Sequence, residues 1–106
     1  MMRAVMFASI LAASASAANA QDTSGTPEAG RVFARQVCSP CHAVTVVQAS
    51  QRVMAIGPDF QTIANTPGMT TTALRAFLSH PHGAMPDLSL TRAEIDDLVG
   101  YIETLR

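Results

Sequence analysis

Both cysteines of this 106-residue chain fall within one short stretch, Cys38-Ser39-Pro40-Cys41-His42, with an imidazole directly after the second thiol. A disulfide between them would close almost no loop, and a disulfide stabilises chiefly through the loop it closes in the unfolded chain. The pair therefore cannot staple a small domain. It is suited instead to chemistry or to holding a cofactor, and whatever the chain folds into must present these three side chains together. The large apolar residues are few: no tryptophan, one tyrosine, and Phe33, Phe60 and Phe77 beyond the first twenty residues. A core that thin leaves room for something other than side chains to fill it.

Residues 1–20 read as an export signal. Met1-Met2-Arg3 gives a positive start, Ala4 to Ala13 is apolar apart from Ser9, and Ala18-Asn19-Ala20 is a small-x-small cleavage pattern. The apolar run is well short of the roughly 20 residues that cross a bilayer. Cleavage before Gln21, release to the periplasm and no stable membrane insertion are the expectations. Residues 21–26 form a polar, flexible leader, and residues 27–106 form one domain. Without Arg3, six arginines stand against eight acidic residues, a formal charge of −2, and the chain has no lysine. That balance argues against a nucleic-acid partner.

The elements read as all-α. Thr26-Pro27-Glu28 is an N-cap, a proline in the first turn and an early acid, and predicts a helix to about Gln36 with Gly30, Phe33 and Val37 on one face. Residues 43–57 lack sustained periodicity and read as an irregular connection. Pro58-Asp59 opens a short helix through Ala64, and Asn65-Thr66-Pro67-Gly68 ends it. A further helix starts near Thr71, carries Leu74, Phe77 and Leu78, and stops at His80-Pro81-His82-Gly83-Ala84-Met85-Pro86. Thr91-Arg92-Ala93-Glu94 is a capping box ahead of Ile95, Leu98, Ile102 and Leu105 at helical spacing, which predicts a last helix to the C-terminus.

C-x-x-C-H is the attachment pattern for a c-type haem, in which each thiol adds across a porphyrin vinyl group and the next histidine binds the iron. Cys38 and Cys41 would form the thioethers and His42 the proximal bond. Two other chemistries use similar residues. A thiol-disulfide oxidoreductase also carries C-x-x-C, but at the strand-to-helix junction of a sheet-containing fold, and no strand pair is legible here. A zinc site could draw on Cys38, Cys41 and His42 with His80 or His82, yet only one ligand cluster is present. The haem reading leads. A sixth iron ligand could come from Met54, Met69, Met85, His80 or His82; Met85 is the preferred candidate, in a proline-stiffened loop just before the last helix.

With these motifs in this order, the chain resembles the small bacterial class I c-type cytochromes, which carry a single haem, over nearly all of residues 27–106. The resemblance implies three to four helices with long loops around one covalently bound haem c. It implies that Gly30 lets the first helix cross the last at close range, opposite Leu98 and Tyr101. It also implies that Gly57-Pro58 places the Pro58 carbonyl to accept a hydrogen bond from His42. The chain departs from the family pattern in three ways: Phe33 precedes Cys38 by five residues where four is commonest, no tryptophan is available for a haem propionate, and no lysines ring the haem edge. Arg52, Arg75 or solvent is left to meet the propionates.

The haem faces are expected to pack against Phe33, Phe60, Leu74, Phe77, Leu78 and Leu98, with Phe60 and Phe77 in direct contact. The implied function is one-electron transfer by an exported carrier between redox partner proteins, not an enzymatic transformation. A haem-bearing subunit or dedicated acceptor of an exported dehydrogenase or oxidase is the alternative, so the chain would act as a monomer or within a hetero-complex. The thiol-disulfide oxidoreductase is the remote alternative.

Overall fold

The computed structural model describes residues 25–51, 56–80 and 83–106. Residues 1–20, read from the sequence as an export signal, most of residues 21–26, and Arg52, Met54 and His82 lie outside the described residues. Among these residues five α-helices follow one another: α1 (Pro27–Phe33), α2 (Val46–Ser50), α3 (Phe60–Ala64), α4 (Thr71–Ser79) and α5 (Arg92–Glu103), with a π turn over Ala34–Cys38 continuing α1. No strand occurs among the described residues. The fold is the all-α one that the sequence predicts.

Local signals account for most of the boundaries. In α5 the capping box forms: the Thr91 hydroxyl accepts from the Glu94 N–H at 3.2 Å, and Glu94 accepts from the Thr91 N–H at 2.7 Å. Asp59 caps α3 by accepting from the Thr62 N–H at 2.7 Å, and the Thr70 hydroxyl caps α4 by accepting from the Ala73 N–H at 3.1 Å. Thr26 stands at the N-cap of α1 but makes no side-chain cap. Its backbone N–H instead donates to Asp97 at 2.7 Å, so α5 fixes where α1 begins.

Within the connection read as irregular lies one helical turn, α2. Its origin is a second capping box: the Thr45 hydroxyl accepts from Gln48 N–H at 3.1 Å, while Gln48 accepts from the N–H groups of Val44 and Thr45. Thr45-x-x-Gln48 carries the same pattern as Thr91-x-x-Glu94, but β-branched Val46 and Val47 hide it.

The first helix is rotated from the expected face. Gly30, Ala34 and Cys38 are the buried residues, four apart; Phe33 is half-buried against the core, and Val37 is exposed. Ala34 therefore occupies the position four residues before Cys38 where the family usually has its aromatic. Gly30 does lie at the crossing with α5. A Cβ there would come 2.8 Å from Tyr101 Cβ and would collide with the Asp97 carbonyl. Only a glycine allows backbones that close. Asp97 and Tyr101 form the opposing surface, while Leu98 points its buried side chain into the cleft described next.

Candidate haem site

The π turn delivers the first thiol. Ser39 N–H donates to the Ala34 carbonyl at 3.0 Å, the five-residue spacing that defines such a turn, and Cys38 ends it as a buried residue. The chain then folds back, with Cys41 and His42 N–H groups donating to the Cys38 carbonyl at 3.1 and 2.9 Å. Both thiols are free, Cys38 buried and Cys41 half-buried. Burial pushes the Cys38 thiol up to about 11, the reverse of what an activated redox thiol needs.

After the second thiol, successive residues are each tied to a different partner. The Cys41 carbonyl accepts from Gly57 N–H at 2.7 Å, and the Ala43 carbonyl accepts from Phe60 N–H at 2.9 Å. Between them, His42 Nδ1 lies 2.6 Å from the Pro58 carbonyl. A carbonyl can only accept, so Nδ1 carries a proton, and the tautomer that can bind a metal offers its lone pair on Nε2. Such a bond orients an iron-binding imidazole and makes it a stronger donor. Gly57 lies flat against the ring: a Cβ there would sit 2.8 Å from Nδ1 and 3.0 Å from Nε2.

Cys38, Cys41 and His42 share the lining of a cleft of about 490 Å³. Its walls are apolar, with Phe60, Ile63, Leu74, Phe77, Leu78 and Leu98 among them, and none of the described lining residues carries a formal charge. Met85 and Pro86 line the same cleft from the segment ahead of α5, as does Met69. Of the expected haem contacts, only Phe33 is not in the lining. His80 is exposed on the end of α4, where its Nδ1 lies 3.0 Å from the Ala76 carbonyl, and it lines a small neighbouring recess beside Met85 instead. Arg75, a candidate propionate partner, is paired with Asp96 of α5 and does not line the cleft.

These residues fit a haem. Two thiols and an imidazole that can offer Nε2 border an apolar cleft, and a thioether lies in the same lining. Among the described residues no three His, Cys, Asp or Glu side chains gather as a metal site.

Fold and site together define a c-type cytochrome. Residues 25–102 match the family described as cytochrome c oxidase, cbb3-type, subunit III, and the chain belongs to this family of c-type cytochrome domains. It is also similar to cytochrome c-552 of Bradyrhizobium diazoefficiens strain USDA 110, with 33% identity over 105 residues, covering 99% of this chain and 95% of that protein. No solved structure matches the chain. As a c-type cytochrome the chain binds haem c covalently and is an electron carrier rather than an enzyme. The sequence did not reveal the Tyr101 hydroxyl, which donates to the Val44 carbonyl just past the attachment motif. A tyrosine on the buried face of a helix gives no sign of which carbonyl it will reach.

Proposed function

We propose that this chain is an exported one-electron carrier in which Cys38 and Cys41 anchor the haem, His42 is the proximal iron ligand and Met85 the opposite one. The observation that carries the reading is the His42 Nδ1–H bond to the Pro58 carbonyl, which commits the ring to offering Nε2. Haem supplies the one-electron iron couple. The chain's residues do the rest. Met85 contributes a thioether, which favours reduced iron relative to a second imidazole, and the uncharged walls disfavour the extra positive charge of the oxidised centre. A fairly positive potential is expected. Residues 1–20 serve as the cleaved signal that sends the domain to the periplasm, and no helix among the described residues is long and apolar enough to cross a membrane.

A second reading has one observation in its favour. The matching family's description names a subunit of an oxidase, which supports a role for this chain as a haem-bearing subunit or dedicated acceptor in such a complex. Stable co-purification with other subunits separates that role from a free carrier. The axial assignment has its own test. Met85→Ala in the haem-bearing protein should abolish the weak near-infrared charge-transfer band of the oxidised form and open the iron to added ligands such as imidazole. Retention of the native spectrum would remove Met85 from the role.

A further inference from the structure

We infer that Tyr101 is a positioning residue for His42, acting on the imidazole from α5 by two routes, through the Val44 backbone and through the Phe60 ring. The inference rests on the reading of His42 as the proximal iron ligand.

The first route runs along the backbone. Val44 is fully buried, two residues after His42, and its carbonyl accepts from the Tyr101 hydroxyl, itself on a residue only 5% exposed. Water cannot replace that donor without opening the core, so the bond fixes where the chain goes after the histidine. Among the described residues, the other anchors of residues 41–44 come from nearby segments: Gly57 N–H on Cys41, Pro58 on His42, Phe60 N–H on Ala43 and Gln48 on the Val44 N–H. Tyr101 alone among them ties the attachment segment to α5. Burial also pushes the Tyr101 phenol above its ordinary value, which keeps it a neutral donor.

The second route runs through side chains. The Phe60 ring lies between the other two, its centroid 5.5 Å from that of His42 at 57° and 6.4 Å from that of Tyr101 at 50°. Phe60 is 5% exposed and has little room to turn. Removing the hydroxyl leaves a buried carbonyl without its donor and lets Tyr101, Phe60 and the backbone after His42 shift together. The imidazole then loses alignment with the Pro58 carbonyl. A weaker Nδ1–H bond makes Nε2 a poorer donor, which stabilises oxidised iron less and raises the potential.

The test uses the haem-bearing protein in its reduced form, comparing wild type, Tyr101→Phe and Ile95→Val. Ile95 is buried on the same helix but outside the cleft lining, so its variant reports a loss of core packing that keeps the Tyr101 hydroxyl and the Phe60 ring. Solvent exchange of the His42 Nδ1 proton is followed by NMR, and the midpoint potential is measured alongside it. In Tyr101→Phe the exchange should accelerate about tenfold beyond that in Ile95→Val and the potential should rise, with the Gly30 amide exchanging alike in both variants. Wild-type exchange and potential in Tyr101→Phe, or equal changes in Ile95→Val, would overturn the inference. If Tyr101→Phe does not mature, Phe60→Leu carries the test: it severs the ring route and should speed exchange by a smaller factor, and wild-type exchange there overturns the inference as well. A wild-type product with the mass of bare polypeptide, made in a host that attaches haem, overturns the proposed function and this inference together; a haem-bearing wild type with an unresponsive Tyr101→Phe removes the inference alone.

Discussion

Where α1 meets α5, backbones touch: Gly30 lies against Asp97 and Tyr101, and Gly100 packs on Gly25, leaving no space for another atom group. Around the cleft, by contrast, large apolar side chains stand apart and enclose about 490 Å³. Charge follows the same division. Glu28, Arg31, Asp96, Asp97, Glu103 and Arg106 belong to the crossing helices or the tail of α5, whereas between Gln36 and Pro86 the only formal charges are Arg52, Asp59 and Arg75. Of those three, Asp59 is spent on the cap of α3 and Arg75 on Asp96. The crossing is complete as protein. With haem held there as proposed, the cleft becomes half of a core whose other half is the cofactor, and a chain with only Phe33, Phe60, Phe77 and Tyr101 beyond residue 20 then buries more apolar surface than its side chains alone supply.

The strongest way to break this contrast is to withhold the haem. In Cys38→Ala/Cys41→Ala, hydrogen exchange should show amide protection in α3 and α4 lost altogether, with residual protection confined to α1 and α5. Equal protection on both sides would show that the cleft wall stands without its cofactor. The next effect in size comes from the crossing. Gly30→Val places a branched side chain where even one Cβ collides, and should lower the stability of the haem-bearing protein by about 3 kcal/mol in denaturant titration. A loss near zero would mean that the helices separate easily.

The smallest effect sharpens the contrast from the cleft side. Asp59→Ala removes the cap of α3, a helix of five residues, and should cost about 1 kcal/mol. The Thr62 N–H and hydroxyl hold the Asp59 carboxyl below its ordinary range. Its contribution is therefore present above the usual carboxylate pKa and is lost as pH falls through the depressed folded value. Acid titration of the two proteins should show their stabilities converging at low pH, and a gap independent of pH would contradict the capping role.

The sequence made the ends of α3, α4 and α5 legible because each starts at a Thr or Asp that caps its own helix. Cys38, Cys41 and His42 lie together in the attachment motif, Pro58 is expected from the family resemblance and Met85 from its proline-stiffened loop, and the structure brings all five to one cleft lining. Contacts between distant segments were not legible. Nothing near Thr26 announces that Asp97 will hold its N–H, and helical spacing places Phe33 and Val37 on one face with Gly30 without showing how closely another backbone approaches. In the fold, close approach to α5 selects the smallest residues, so Gly30 and Ala34 turn inward and the larger Phe33 moves to the side. Hydrophobic periodicity misleads wherever two backbones pack too tightly for large side chains.

The π turn ahead of the attachment motif has a geometric result. Residues four apart on an α-helix drift by roughly 40° around its axis, so a line drawn from Gly30 through Ala34 would continue to swing away. The wider winding of residues 34–38 opposes that swing, and Gly30, Ala34 and Cys38 are all buried. The contact point of two helices thus becomes the origin from which the Cys38 thiol is placed, and a slip of α1 along α5 would carry that thiol with it.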